Sequence, residues 1–235
     1  MRNPIIAALD VATAERALPL AEQLAPVVGA LKVGKELFTS EGPGLVRQLR
    51  ATGAAVFLDL KFHDIPNTVA RAVEAAVRCG VQMLTIHTSG GTAMMRAAEQ
   101  AARTTADALG LETPLVLGVT VLTSLDDAAL EELGVGDGTA GQVGRLARLG
   151  VNSGLRGLVC SPLELRMLRA ALPKHVQLVT PGVRPAGAGH DDQKRTMTPQ
   201  EAIEAGADWL VIGRPICAAP NPRAAAERIL ADLAL

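Results

Sequence analysis

Aromatic residues make up only 2% of this chain, and tyrosine is missing altogether. Proteins that grip single-stranded nucleic acid stack bases on aromatic rings, so that class of function has no support here. Charge of one sign is not in excess either. The formal net charge is −1, which gives no electrostatic footing for nucleic acid or a membrane surface. Cysteine is confined to Cys79, Cys160 and Cys217, far apart and with no CxxC pair. That argues against a disulfide framework or a structural zinc site and leaves each as a small buried apolar residue. The four histidines, His63, His87, His175 and His190, show no HxxxH or HExxH spacing. None is read as a metal ligand. No apolar run approaches the ~20 residues a membrane span needs. The opening MRNPIIAALD turns acidic too soon for a secretory signal. A cytoplasmic protein is expected.

What the chain does have is repetition. Short apolar, β-rich runs occur at Pro4–Asp10, Gly29–Gly34, Ala55–Leu60, Met83–His87, Leu115–Val121, Gly157–Cys160, Val176–Thr180 and Trp209–Gly213. Alanine-rich segments with helical spacing lie between them. In Pro66–Gly80, Val69, Val73, Ala76 and Val77 fall on one face and Gly80 suits the helix end. A last helix is expected from about Pro222 to Leu233. Eight strand–helix units imply parallel strands with crossover helices. They close most simply into a single-domain (β/α)₈ TIM barrel spanning residues 1–235. An open doubly wound sheet is the alternative, but no GxGxxG turn follows the first strand. One connection stands out: Pro181–Met197 has no apolar period and much Gly and Pro. Long structureless loops are uncommon and often functional.

Charges appear where a barrel packs apolar residues. Period two places Leu58 and Leu60 on one side of the third strand and Asp59 and Lys61 on the other. If the leucines face the helices, Asp59 and Lys61 point into the barrel. Lys32 points inward likewise if Leu31 and Val33 face out. Asp10 ends the first strand, and Asp64 follows the third. Any one of these alone reads as an ion pair at a strand end. Three carboxylates and two lysines converging on one mouth read as machinery, because buried charges are costly. A divalent-metal site from Asp10, Asp59 and Asp64 is the competing functional reading. Lys61 between two of the acids argues against it.

The eighth strand runs into VIGRPI, where Gly213 permits close backbone approach and Arg214 offers a guanidinium fork. Barrels often bind phosphate after strands seven and eight. Arg184 and Gln193 in the long seventh loop are placed to meet the same anion.

Asp59–Val69 reads DLKFHDIPNTV, which resembles the signature of the orotidine 5′-phosphate decarboxylase family. The remaining motifs agree in order: ALD at Asp10, LKVGKELF around Lys32, GVTVLTS ending at Ser124, TPGVRP at Thr180–Pro185, DQKRTMTP at Asp192–Pro199 and VIGRPI at Val211–Ile216. The resemblance covers nearly the whole chain and is nearest to the bacterial, single-function form. It implies a homodimeric barrel that converts orotidine 5′-phosphate to uridine 5′-monophosphate with no metal or organic cofactor. It implies a charge network of Lys32, Asp59, Lys61 and Asp64, with Lys61 as proton donor. Asp64 would reach the neighbouring subunit's site, with Ile65 and Thr68 nearby. Asp10 and Lys32 would hold ribose hydroxyls, Thr123 and Ser124 the pyrimidine, and Arg184, Gln193, Gly213 and Arg214 the phosphate. The rivals are a metal-dependent sugar-phosphate decarboxylase or aldolase, a phosphosugar isomerase or epimerase, and a non-catalytic nucleotide-binding barrel.

Overall fold

The computed structural model describes residues 3–184 and 197–233. Eight parallel strands close on themselves in chain order: β1 (Ile5–Ala8), β2 (Ala30–Val33), β3 (Val56–Phe62), β4 (Met83–His87), β5 (Leu115–Val119), β6 (Gly157–Val159), β7 (Gln177–Thr180) and β8 (Trp209–Ile212), with β8 pairing back to β1. Helices cover the outside: α1 (Ala14–Leu24), α2 (Lys35–Ala51), α3 (Pro66–Arg78), α4 (Gly91–Leu109), α5 (Asp127–Glu132), α6 (Gly138–Asn152), α7 (Leu165–Ala171), α8 (Pro199–Glu204), α9 (Arg214–Cys217) and α10 (Pro222–Asp232). The eight-fold alternation read from the sequence is therefore a (β/α)₈ barrel, not an open sheet. Among the described residues no helix is long and apolar enough to cross a membrane.

Strand parity separates two apolar layers. Ile6, Ala30, Phe57, Met83, Leu115, Leu117, Val179 and Trp209 fill the barrel interior. Leu31, Val33 and Leu58 face outward and pack under the helices, as do Val69, Val73, Ala76 and Val77 of α3. The helix begins with Pro66 in its first turn and stops at Cys79–Gly80, where Gly80 takes φ 77°. Interior side chains fill the lower barrel, so the next inward residues up each strand form its C-terminal mouth. On β2 and β3 those residues are Lys32 and Asp59.

Candidate active site

Four charged residues form one chain across the mouth. Lys32 Nζ donates to Asp10 Oδ1 at 3.0 Å and stands 4.0 Å from Asp59 Oδ2. Lys61 Nζ donates to Asp59 Oδ1 at 2.8 Å. Charge alternates along the path, so each ammonium faces at least one carboxylate. Lys32 is buried, Asp59 and Lys61 are partly so, and the Asp10 side chain is 61% exposed. Period two put Asp59 inward, but Lys61 reaches the mouth by a different route. It is the one non-glycine described residue with positive φ, at 53°. Here β3 bulges against β4: Leu58 pairs with Leu84 and Phe62 with Ile86, so Asp59, Leu60 and Lys61 all stand opposite Thr85. Thr85, fully buried, takes over the broken ladder. Its Oγ1 accepts from the Lys61 backbone N–H at 2.9 Å and donates to Asp59 Oδ1 at 3.0 Å.

A cavity of about 290 Å³ opens above this chain, within reach of a small ligand. Asp10, Lys32, Asp59, Lys61, Thr123, Arg184, Gly213 and Arg214 all line it. The Arg184 Nε is buried with no hydrogen-bond partner among the described residues. A Cβ on Gly213 would stand 3.1 Å from Asp10 Oδ2, which is why a glycine suits that position. The base of the seventh connection is pinned, since Val183 bridges Met197 and the Arg184 N–H donates to the Met197 carbonyl. Gln193 lies outside the described residues.

The expected five-charge convergence is corrected to four within one chain. Beyond Phe62 the chain turns outward toward α3, leaving Asp64, Ile65 and Thr68 exposed and away from the cavity. The Asp64 carboxylate accepts from the Ile65 N–H at 2.6 Å. Ser124 is also exposed and does not line the cavity, unlike its neighbour Thr123. Among the described residues, no three His, Cys, Asp or Glu side chains cluster as a metal site requires.

Other residues of this wall carried no motif. Thr85 looked like an ordinary strand residue; only its inward parity with Met83 and His87, beside the DLK strand, marks it. His87 sits with its ring centroid 5.3 Å from that of His63. Burial lowers its pKa to about 4, with His63, Lys61 and Lys35 adding to the shift and Asp59 opposing it. Cys217 donates its thiol to the Ala8 carbonyl, and burial pushes its pKa up to about 12, with Asp10 adding and Lys32 opposing. Cys160 is likewise pushed up to about 12 by burial, and Glu164 adds to the rise. Raised in this way, both side chains stay in the thiol form near neutral pH.

An eight-stranded parallel barrel with a charged cavity at the C-terminal strand ends is the architecture of barrel enzymes. The particular family follows from comparison. Residues 3–229 match the model of the orotidine 5′-phosphate decarboxylase / HUMPS family, and the chain belongs to that family. It is 53% identical to the orotidine 5′-phosphate decarboxylase of Opitutus terrae, over 99% of both chains. It is 52% identical to the enzyme of that name from Pseudomonas aeruginosa, over 99% of this chain and 98% of the relative. The crystal structure of orotidine 5′-phosphate decarboxylase from Lactobacillus acidophilus superposes with a TM-score of 0.89 at 36% identity, covering 99% of this chain and 100% of that one.

Proposed function

We propose that this chain, as one barrel domain, decarboxylates orotidine 5′-phosphate to uridine 5′-monophosphate, with Lys61 as the proton donor. The observation that carries this reading is the unbroken Asp10–Lys32–Asp59–Lys61 chain at the cavity floor. When the bond from C6 of the pyrimidine to its carboxylate breaks, carbon dioxide leaves and the electron pair stays on C6. The ring offers no conventional sink for that pair. A fixed ammonium stabilises the charge as it forms and then delivers a proton to C6, becoming a neutral amine that solvent reprotonates. Asp59 and Thr85 hold Lys61 in place before any substrate arrives, so little reorganisation is needed during the reaction.

The remaining roles are those the family resemblance implies, and the cavity lining supports the ones given to Asp10, Lys32, Thr123, Arg184, Gly213 and Arg214. Asp10 and Lys32 take the ribose hydroxyls, and Thr123 the pyrimidine, with Ser124 beside it. Arg184, Gly213 and Arg214 take the phosphate, with Gln193 joining them. Two guanidinium-bearing residues, Arg184 and Arg214, lining the same cavity suit an anion there. Asp64, Ile65 and Thr68, exposed on a single chain, enter the partner's site in a homodimer. No metal or organic cofactor has a part in this scheme, and the setting is cytoplasmic. The test mixes chelator-treated protein with orotidine 5′-phosphate and follows loss of orotate-type ultraviolet absorbance. Uridine 5′-monophosphate should form, and Lys61→Ala should remove turnover while leaving the protein folded. A folded, unmutated protein that leaves the substrate intact overturns the proposal. Full activity of the Lys61→Ala variant removes Lys61 as the proton donor.

A further inference from the structure

A lysine in the left-handed region needs something to hold it there. Backbone strain of this kind in a side-chain-bearing residue persists only where the surroundings over-determine it. At Lys61 the backbone N–H is held by one hydroxyl and the ammonium by one carboxylate. The regular β3–β4 ladder is interrupted between the Leu58–Leu84 and Phe62–Ile86 pairs, and Thr85 alone faces the bulge. The Lys61 N–H, left without a ladder carbonyl, donates to Thr85 Oγ1. The hydroxyl proton has one direction left, and it goes to Asp59 Oδ1, the same oxygen that receives the Lys61 ammonium.

We infer that Thr85 is a positioning residue of the reaction: its hydroxyl ties the backbone of Lys61 to the carboxylate that orients the Lys61 side chain. This inference rests on the assignment of Lys61 and Asp59 to the chemistry. A closed ring results, running from Lys61 N–H to Thr85 Oγ1, on to Asp59 Oδ1 and back through Lys61 Nζ. Thr85 is wholly buried and does not line the cavity, so it acts only through its two neighbours. Serine preserves the ring. Valine fills the same space but leaves the buried N–H unpaired and frees the carboxylate to turn.

The experiment compares Thr85→Val, Thr85→Ser and Lys61→Ala by steady-state decarboxylation of orotidine 5′-phosphate and by binding of uridine 5′-monophosphate. For Thr85→Val we expect kcat to fall on the order of tenfold to a hundredfold, the scale of a misplaced catalytic group. Its KM and nucleotide affinity should stay within about threefold, because ribose and phosphate contacts are elsewhere. Thr85→Ser should return kcat to within about threefold of the unmutated protein. Should the valine variant not fold, Thr85→Cys takes its place, a similar volume whose thiol is a weak hydrogen-bond partner. A valine variant with unchanged kcat overturns the inference, and so does a serine variant as slow as the valine one. An active Lys61→Ala variant is a separate result: it removes the assignment of Lys61, and the role of Thr85 with it.

Discussion

At neutral pH the imidazole of His87 carries no proton, because burial lowers its pKa from 6.5 to about 4. In an unfolded chain the same ring takes up a proton below about pH 6.5. Between those limits the unfolded state binds more protons, so stability rises with pH across the window and is lost as pH falls from 6.5 toward 4. The ring is only about half buried, and solvent screening holds the effect to about 1 kcal/mol. Replacing it by glutamine removes the titration. His87→Gln should therefore show a shallower drop in denaturant midpoint between pH 7 and pH 4.5 than the unmutated protein; parallel drops would show that His87 does not set this part of the pH dependence. Nothing in the local pattern marks this state, since a histidine at the end of MLTIH has the same letters whether wet or dry. Lys61 shows the same limit. Period two pointed it inward, but it reaches the mouth instead through a positive φ and a bulge that no local pattern encodes. By contrast, Asp59 and Lys32 were readable, because apolar neighbours on both sides fix which way each must point.

Among the elements, the eight strands were legible because each is a short apolar run bounded by turn residues, and their number, with no GxGxxG turn after the first, pointed to a closed barrel. Their ends were less so. The expected Pro4–Asp10 strand pairs only over Ile5–Ala8, while β3 runs on to Phe62 through its bulge. The join between Asn3 and β2 shows how tightly these elements meet. The Gly29 N–H donates to the Ile5 carbonyl at 2.8 Å. A Cβ on Gly29 would fall 2.1 Å from the Asn3 carbonyl oxygen and 2.8 Å from the Trp209 ring. Neither can yield without moving the floor of the barrel. Gly29→Ala should therefore destabilise by about 3 kcal/mol, the upper range of core overpacking. Gly44, in α2, has nothing within 4 Å of the same added carbon. There the substitution should stabilise by about 0.5 kcal/mol by reducing the freedom of the unfolded chain. Denaturant midpoints of the two variants, moving in opposite directions, check both. A Gly29→Ala protein as stable as the unmutated one would mean the close approach is not rigid.

For the whole molecule, one chain supplies a nearly complete cavity and leaves DIPNT, the most family-specific part of its signature, facing outward. Asp64, Ile65 and Thr68 are exposed together, with Ile65 at 67%. The proposed two-fold dimer would cover this patch, because the same patch on each chain could insert into the other's mouth. Spacing along the chain says nothing about which copy a loop meets; only the family resemblance implied that Asp64 reaches a neighbouring subunit. Complementation decides it. A Lys61→Ala subunit keeps a sound Asp64, and an Asp64→Ala subunit keeps a sound Lys61, so each homodimer is crippled at both sites. In a hybrid, the site built on the intact Lys61 receives the intact Asp64, and the other site carries both lesions. At equal mixing about half of the dimers are hybrids with one sound site each, so activity should climb to about one quarter of the unmutated protein. If subunits demonstrably exchange and activity stays at the level of the parent variants, Asp64 acts within its own chain or not at all, and the exposed patch needs another explanation.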